Sequence, residues 1–324
     1  MNDITTVIII IAAVLLILTL AGAAGGWLMY RRAFSPERDA SRAERKNLQE
    51  LVGGPLRGRA EFVRQGRLWV EAQPARELYM TNREGLRLHA SYISCAPYAA
   101  RPTGRVLLMA HGYHSCAAFD FGCGCPFYLS LGYDLCLVDQ RAHGQSQGQR
   151  VCFGVRESAD MVDWCRFLLD QEPQRPIVLA GISMGATSML LAAGRPDLPP
   201  GVLGVIADCG FTDCREQFRD VLAQMHLPRF PLMNWAEFFC RRELGFGFSD
   251  HSTLDAVARM PIPVIFFHGL DDKFVPPRNS QQNYAACQAP HKRLVLVPGA
   301  GHGKSFLADE PGCRAALTEF LESL

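Results

Sequence analysis

Three side chains in this sequence have the types and the spacing for nucleophilic acyl chemistry. Gly181-Ile182-Ser183-Met184-Gly185 directly follows the apolar run PIVLA and leads, after Ala186 and Thr187, into the helical run SMLLAAG. A nucleophile on a sharp strand-to-helix turn takes strained backbone angles, so its neighbours two residues away must be small, and here both are Gly. Such a turn exposes the Ser183 hydroxyl and brings the unpaired N–H groups of a helix start to the place where an oxyanion would form. A serine hydroxyl is a poor nucleophile at neutral pH, so it needs a histidine to take its proton and an acid to orient that histidine. Both are expected downstream, at the ends of later strands. The run PVIFFHG leads into Leu270-Asp271-Asp272-Lys273-Phe274-Val275-Pro276, which puts a carboxylate just past a strand end. RLVLVPG then leads into Ala300-Gly301-His302-Gly303, where a histidine among glycines reads as a loop residue rather than a packed core side chain.

The elements that must position these groups are legible as a rhythm. ELYMTN (77–82) and RLHASYI (87–93) flank a short REG turn, the pattern of an antiparallel hairpin at a sheet edge. After it, RVLLMAHG, YDLCLVD, PIVLAGIS, GVLGVIADCG, PVIFFHG and RLVLVPG read as buried parallel strands separated by amphipathic helices. ESADMVDWCRFLLDQE (157–172) places Met161, Trp164, Cys165 and Leu168 on one face, as a crossover helix over a sheet requires. The expected fold class is α/β, a mostly parallel, doubly wound sheet. An insertion at about 211–260, containing FPLMNWAEFFCRREL, reads as a short helical cap near the functional ends of the strands.

Through HGY (111–113), DQRAHGQSQG (139–148), GISMG (181–185), DCGFTD (208–213), HGLDDKFVP (268–276) and PGAGH (298–302), the chain resembles the α/β-hydrolase superfamily over nearly all of residues 77–324. Within it the resemblance is to bacterial esterase-like and serine-aminopeptidase-like hydrolases with a short helical cap, often behind a membrane segment. The resemblance implies that the acid is the fifth residue counted from His268, which selects Asp272 over Asp271. Asp208, at a strand end that some relatives use for the acid, is the fallback and otherwise reads as a turn or helix-cap residue. It also implies oxyanion-hole N–H groups from Tyr113, in the His111-Gly112-Tyr113 loop, and from Met184. Asp139-Gln140-Arg141-Ala142-His143-Gly144 resembles a structural loop of the family, so His143 is expected to be held by nearby backbone and not to act as the base. The serine at the elbow speaks against the dehalogenase and epoxide-hydrolase branches, which carry Asp there.

In front of this domain, Ile4 to Tyr30 carries no charge, and about 20 apolar residues suffice to cross a bilayer as a helix. Asp3 precedes the run and no Lys or Arg does, which favours a retained anchor over a cleaved signal peptide. Arg31, Arg32, Arg38, Arg42, Arg45 and Lys46 follow it, so the expected location is a single-pass cell-membrane protein with its catalytic domain in the cytoplasm. Residues 31–76 read as a basic juxtamembrane connector, helical or irregular, and 77–324 as the hydrolase domain. Lys plus Arg number 33 against 32 Asp plus Glu, a balance that gives no reason to expect a nucleic-acid partner.

Twelve cysteines do not imply disulfides in a chain with a core of this size, and several lie in apolar strand and helix runs, as free thiols do. Cys116, Cys123 and Cys125 cluster near His111 and His114, but no Cys-x-x-Cys pair of the zinc type occurs. Neither metal nor organic cofactor is implied. The expected reaction is hydrolysis of a carboxylic acyl ester through an acyl-enzyme, of the carboxylesterase or lysophospholipase kind, on a small or lipid-like substrate. Phe230, Leu232, Met233, Trp235, Phe238 and Phe239 either line an apolar acyl pocket or pack the cap helix on the domain. A peptidase of the aminopeptidase type would need a carboxylate near the cap, for which Glu237 and Glu243 are candidates. A membrane-tethered binding protein without catalysis is the alternative from another class.

Overall fold

The computed structural model describes residues 3–39 and 41–324. The first two residues of the expected anchor, Ala40, and the side chains of Arg42 and Lys46 in the basic stretch lie outside the described residues. The chain forms two compact units: the chain up to Ser35 together with Asp213–His251, and Pro36–Thr212 together with Ser252–Leu324. Along the chain the elements are α1 (Asp3–Ala33), α2 (Ser41–Val52), α3 (Ala60–Glu71), β1 (Arg76–Thr81), β2 (Arg87–Ile93), β3 (Arg105–Ala110), α4 (Ala117–Phe121), α5 (Cys125–Ser130), β4 (Tyr133–Asp139), α6 (Glu157–Gln171), β5 (Ile177–Ile182), α7 (Met184–Ala193), β6 (Val202–Asp208), α8 (Cys214–Gln224), α9 (Leu232–Leu244), α10 (Thr253–Arg259), β7 (Val264–Gly269), α11 (Arg278–Ala286), β8 (Lys292–Val297), α12 (Ser305–Ala308) and α13 (Glu310–Glu322).

The larger unit holds one eight-stranded sheet in the order β1-β2-β4-β3-β5-β6-β7-β8. The expected hairpin is present: β1 and β2 pair antiparallel, and Gly85 takes φ 79° in the turn between them. β2 also pairs antiparallel with β4, and from β4 through β8 every pairing is parallel. Side chains alternate across a strand, so the apolar runs divide between two faces. Leu108, Val138, Leu179, Val205 and Phe266 pack with Met161, Trp164, Cys165 and Leu168 of α6 and with Met189 of α7. Leu107, Leu137, Val178, Ile206 and Ile265 pack on the other face with Phe127, Leu129, Leu317 and Phe320. β8 differs from its expected burial: Lys292 and Arg293 are exposed and Leu294, Val295 and Leu296 half-buried, with only Val297 of the strand buried, because it is the edge strand.

The segment expected to be a connector is folded into this unit from Pro36 onward. The backbone of α3 at Gly66 meets that of Gly122 and Cys123 so closely that a Cβ on Gly66 would lie 2.8 Å from Cys123 N. Val70 joins the core, and Arg59 donates to Glu310 at 3.1 Å. The apolar spacing of Val63, Gly66 and Val70 explains why this stretch packs rather than dangles.

The smaller unit contains α1, α8 and α9. Gly22, Gly25 and Gly26 of α1 face Pro231, Leu232 and Trp235, where Cβ atoms would fall 2.7, 2.7 and 2.3 Å from those residues' side chains. Phe34 stacks on Phe248 at 6.2 Å and meets Phe218 at 5.9 Å. Met233, Ala236, Cys240 and Leu244 are the buried side of α9. All twelve cysteines are free thiols, and all but Cys116 and Cys123 are buried.

Candidate active site

Ser183 sits between β5 and α7 at φ 56° and ψ −119°, a conformation that L-residues rarely adopt. The two flanking glycines are forced by contact. A Cβ on Gly185 would lie 1.9 Å from the Ala110 carbonyl oxygen, and one on Gly181 would lie 2.4 Å from the Gly185 carbonyl. The Ser183 N–H donates to the Asp208 carbonyl at 2.8 Å, which fixes the turn against the end of β6.

The ends of β7 and β8 bring the other two groups to it. Ser183 Oγ lies 2.9 Å from His302 Nε2, and His302 Nδ1 lies 2.7 Å from Asp272 Oδ2. A carboxylate can only accept, so Nδ1 carries the imidazole proton and Nε2 is left to accept from the serine hydroxyl. Asp272 Oδ1 accepts from the N–H groups of Phe274 and Val275, both at 2.9 Å. Burial opposes its charge, but His302, His268 and the Val275 N–H outweigh burial and hold the carboxyl well below its usual range. His268 is itself buried, with Nε2–H donating to the Val275 carbonyl at 2.8 Å and Nδ1 2.6 Å from Ser280 Oγ. Asp271 points to solvent. Asp208 has its Oδ1 taken by the Ser305 hydroxyl at 2.9 Å, and burial pushes its carboxyl up.

The His111-Gly112-Tyr113 turn leaves β3 beside the elbow: a Cβ on Gly112 would lie 3.4 Å from Ser183 Cβ. His111 Nε2 accepts from the Gln140 N–H at 3.2 Å, Gln140 Nε2 donates to the His111 carbonyl at 2.6 Å, and Gln140 Oε1 accepts from Ser188 of α7 at 2.9 Å. The Tyr113 ring stacks on His114 and Phe153, and Met184 opens α7, fully buried. His143 is buried with both ring nitrogens engaged. Nδ1–H donates to the Arg141 carbonyl at 3.0 Å and Nε2 accepts from the His114 N–H at 3.2 Å. Burial, then the neighbouring His111, holds it well below the usual imidazole range, so it stays neutral.

Two further residues at the site were not among the expected site residues. Asp120, on α4, accepts from the Gly112 N–H at 2.6 Å through Oδ2 and from the Ser115 hydroxyl at 2.7 Å through Oδ1. Burial pushes its carboxyl up, against those two donors. Cys209, at φ 48°, has its thiol pushed well up by burial and then by Asp208 and Asp272. Its sulfur, an Asp272 oxygen and a His302 nitrogen lie within 4.8 Å of one another, so they are the residues that could hold a metal, at the cost of the Asp272–His302 hydrogen bond. Among the described residues this group does not include Cys116, Cys123 or Cys125.

Leu232 and Trp235 meet α1, Met233 is buried, and Phe230 and Phe238 are exposed. Glu237 accepts from Arg215, from Arg241 at 3.1 Å and from the Phe248 N–H at 3.1 Å. Glu243 is exposed.

Comparison with known proteins bears on the fold. The α/β-hydrolase-fold family matches residues 105–228. The uncharacterized protein YqkD of Bacillus subtilis is 31% identical over 199 residues, covering 61% of this chain and 65% of that relative, so just under two thirds of it is spanned. The esterase Pf2001 of Pyrococcus furiosus superposes with TM-score 0.62 at 20% identity, covering 78% of this chain and 93% of its own. An acylaminoacyl peptidase in complex with Z-Gly-Gly-Phe-chloromethyl ketone superposes with TM-score 0.56 at 18% identity, covering 79% and 43%. The eight-stranded sheet in this order, the strand-to-helix turn after β5 and the sequence match across β3 to β6 give the chain the α/β-hydrolase fold.

Proposed function

We propose that the protein is a serine hydrolase that cleaves carboxylic acyl esters through an acyl-enzyme, held to a membrane by α1. The observation that carries the reading is the chain of contacts from Ser183 Oγ to His302 Nε2 (2.9 Å) and from His302 Nδ1 to Asp272 Oδ2 (2.7 Å). On this reading Ser183 Oγ attacks the acyl carbonyl while His302 Nε2 takes its proton. The tetrahedral oxyanion is met by the N–H groups of Tyr113 and Met184, and its collapse expels the alcohol, which receives the proton from His302. Water, deprotonated by the same nitrogen, attacks the acyl-enzyme and releases acid and free Ser183. Asp272 keeps the imidazole in the required tautomer and supports the imidazolium.

The ester reading is preferred to an aminopeptidase because Glu237, the half-buried one of the two candidate carboxylates, is already committed to two arginines and a backbone N–H. The anchor reading rests on α1, 31 residues long with a mean hydropathy of 3.0 over its most apolar stretch, and on the arginines that follow it, which favour a cytoplasmic catalytic unit. The test is labelling of the full chain in detergent with a fluorophosphonate, read beside hydrolysis of short and long acyl p-nitrophenyl esters. Wild type should label and turn over, and Ser183→Ala should do neither. A folded wild type that does neither would move the non-catalytic binding protein to the front.

A further inference from the structure

We propose that the loop 225–230 and the outward face of α9 form a lipid-contacting surface, seated in the headgroup and upper acyl region of the same bilayer that α1 crosses. This rests on the reading of α1 as a retained anchor.

The position of α9 along α1 is fixed by contact. Gly22 meets Pro231, Gly25 meets Leu232, and Gly26 meets Trp235 and the Ala236 backbone, none with room for a Cβ. The partners advance together along both helices, so α9 runs in the same sense as α1, and its first turn lies level with Gly22–Gly26. The uncharged run Ile4–Tyr30 has 27 residues. At about 1.5 Å per residue it is about 40 Å long, roughly 10 Å more than a hydrocarbon core needs. If the hydrocarbon begins at Ile4, it ends after about 20 residues, among these glycines. If it ends at Arg31 instead, the glycines lie deeper still. In either register Pro231 and the loop leading into it reach the lipid boundary.

What this loop presents fits that place. Residues 223–230 are all exposed, with Phe230 at 76%, Met225 at 60% and Leu227 at 41% relative exposure, and Phe238 at 50% follows on α9. Exposed apolar side chains this close together are unusual on a water-facing surface. His226 and Arg229 lie between them and favour the shallower register, in which the aromatic and aliphatic side chains dip while the polar ones stay among headgroups. Arg242 is exposed one turn beyond Phe238, and Arg31 caps the Trp27 ring at 5.5 Å, both at the end directed out of the membrane.

The experiment uses the full chain reconstituted in vesicles of phosphatidylcholine and phosphatidylglycerol containing a phospholipid with a diazirine on its acyl chain. After photolysis, adducts are mapped by peptide mass spectrometry. The expected result is adducts on α1 and on peptides spanning 225–238. A Met225→Ser/Leu227→Ser/Phe230→Ser variant should lose at least about five-fold of the cap adducts with those on α1 unchanged. Adducts on α1 alone in the wild type would refute the surface and leave the anchor standing. Adducts on neither would refute the anchor reading and this surface with it. The wild-type map decides the question even if the triple variant folds poorly.

Discussion

In the proposed mechanism the Asp120 carboxylate touches neither substrate nor a triad side chain, and its removal gives a sharp test of the oxyanion loop. Its two oxygens hold Gly112 N–H at 2.6 Å and Ser115 Oγ at 2.7 Å, on either side of Tyr113. A hydrogen bond to a charged group contributes about 1.5–3 kcal/mol. Asp120→Ala strands the buried Gly112 N–H and frees the turn that aims the Tyr113 amide. If about 2 kcal/mol of that ordering is expressed in the transition state, kcat falls about 30-fold. That stays below the roughly 100- to 1,000-fold expected when an oxyanion donor is itself removed. Asp120→Asn is the control. Its amide oxygen can accept from Gly112 while its NH₂ donates to the Ser115 hydroxyl, which can turn to accept, so it should recover most of the loss. The assay is steady-state p-nitrophenyl ester hydrolysis together with the second-order rate of fluorophosphonate labelling. The expected pattern is a drop in kcat and in labelling rate with KM changed little, and partial rescue by Asn. Wild-type kcat in Asp120→Ala, or equal losses in Ala and Asn, would refute the positioning role.

Three further outcomes follow from the same contacts. His302→Ala should abolish ester turnover, and Asp272→Asn should lower kcat by about 10⁴-fold while the serine still labels slowly, because the tautomer and not the nucleophile is lost; rates from stopped-time product assays decide it. His143 has its folded pKa depressed, so its contribution to stability is complete above the unfolded value of 6.5 and is lost as pH falls through the folded one. The denaturation midpoint of the full chain in detergent should therefore drop on acidification below about pH 6.5, and His143→Gln should flatten that slope. Gly26→Leu would set its Cβ 2.3 Å from Trp235 Cβ and 2.9 Å from the Ala236 nitrogen, so α1 and α9 should part, seen as a lower thermal midpoint and new protease cleavage within 213–251.

The sheet was legible because its signals are local and repeated. Each buried parallel strand is a short apolar run, and α6 shows its buried face at helical spacing, so burial alone writes both patterns into the sequence. The two elbow glycines were legible for a stricter reason. The contacts at Gly181 and Gly185 leave no space for any other residue, so the letters record the geometry itself. β8 was over-read as buried because an edge strand needs apolar residues on one side only, and its leading Lys292 and Arg293 carry that information.

What was not legible depends on contacts distant in sequence. Asp120 is one acid among 32 acidic residues, and its partner Gly112 lies eight residues back across a turn that no periodicity marks. The stretch after Pro36 was read as a tether because its charges are conspicuous. Its packing rests on quieter residues: Gly66 lets two backbones meet, and Glu37 and Arg38 reach the loop of His143, with the Glu37 N–H donating to the Ala142 carbonyl at 2.8 Å and Arg38 to the Gly148 carbonyl at 2.8 Å. The same reasoning explains why aromatic composition left two readings of α9 open, an acyl pocket or a packed helix face. Phe, Trp and Leu on a helix state that something apolar will cover them, not what. In α9 part of that cover is a helix about 200 residues earlier in the chain, and the glycines that admit it are spelled in α1 rather than in α9.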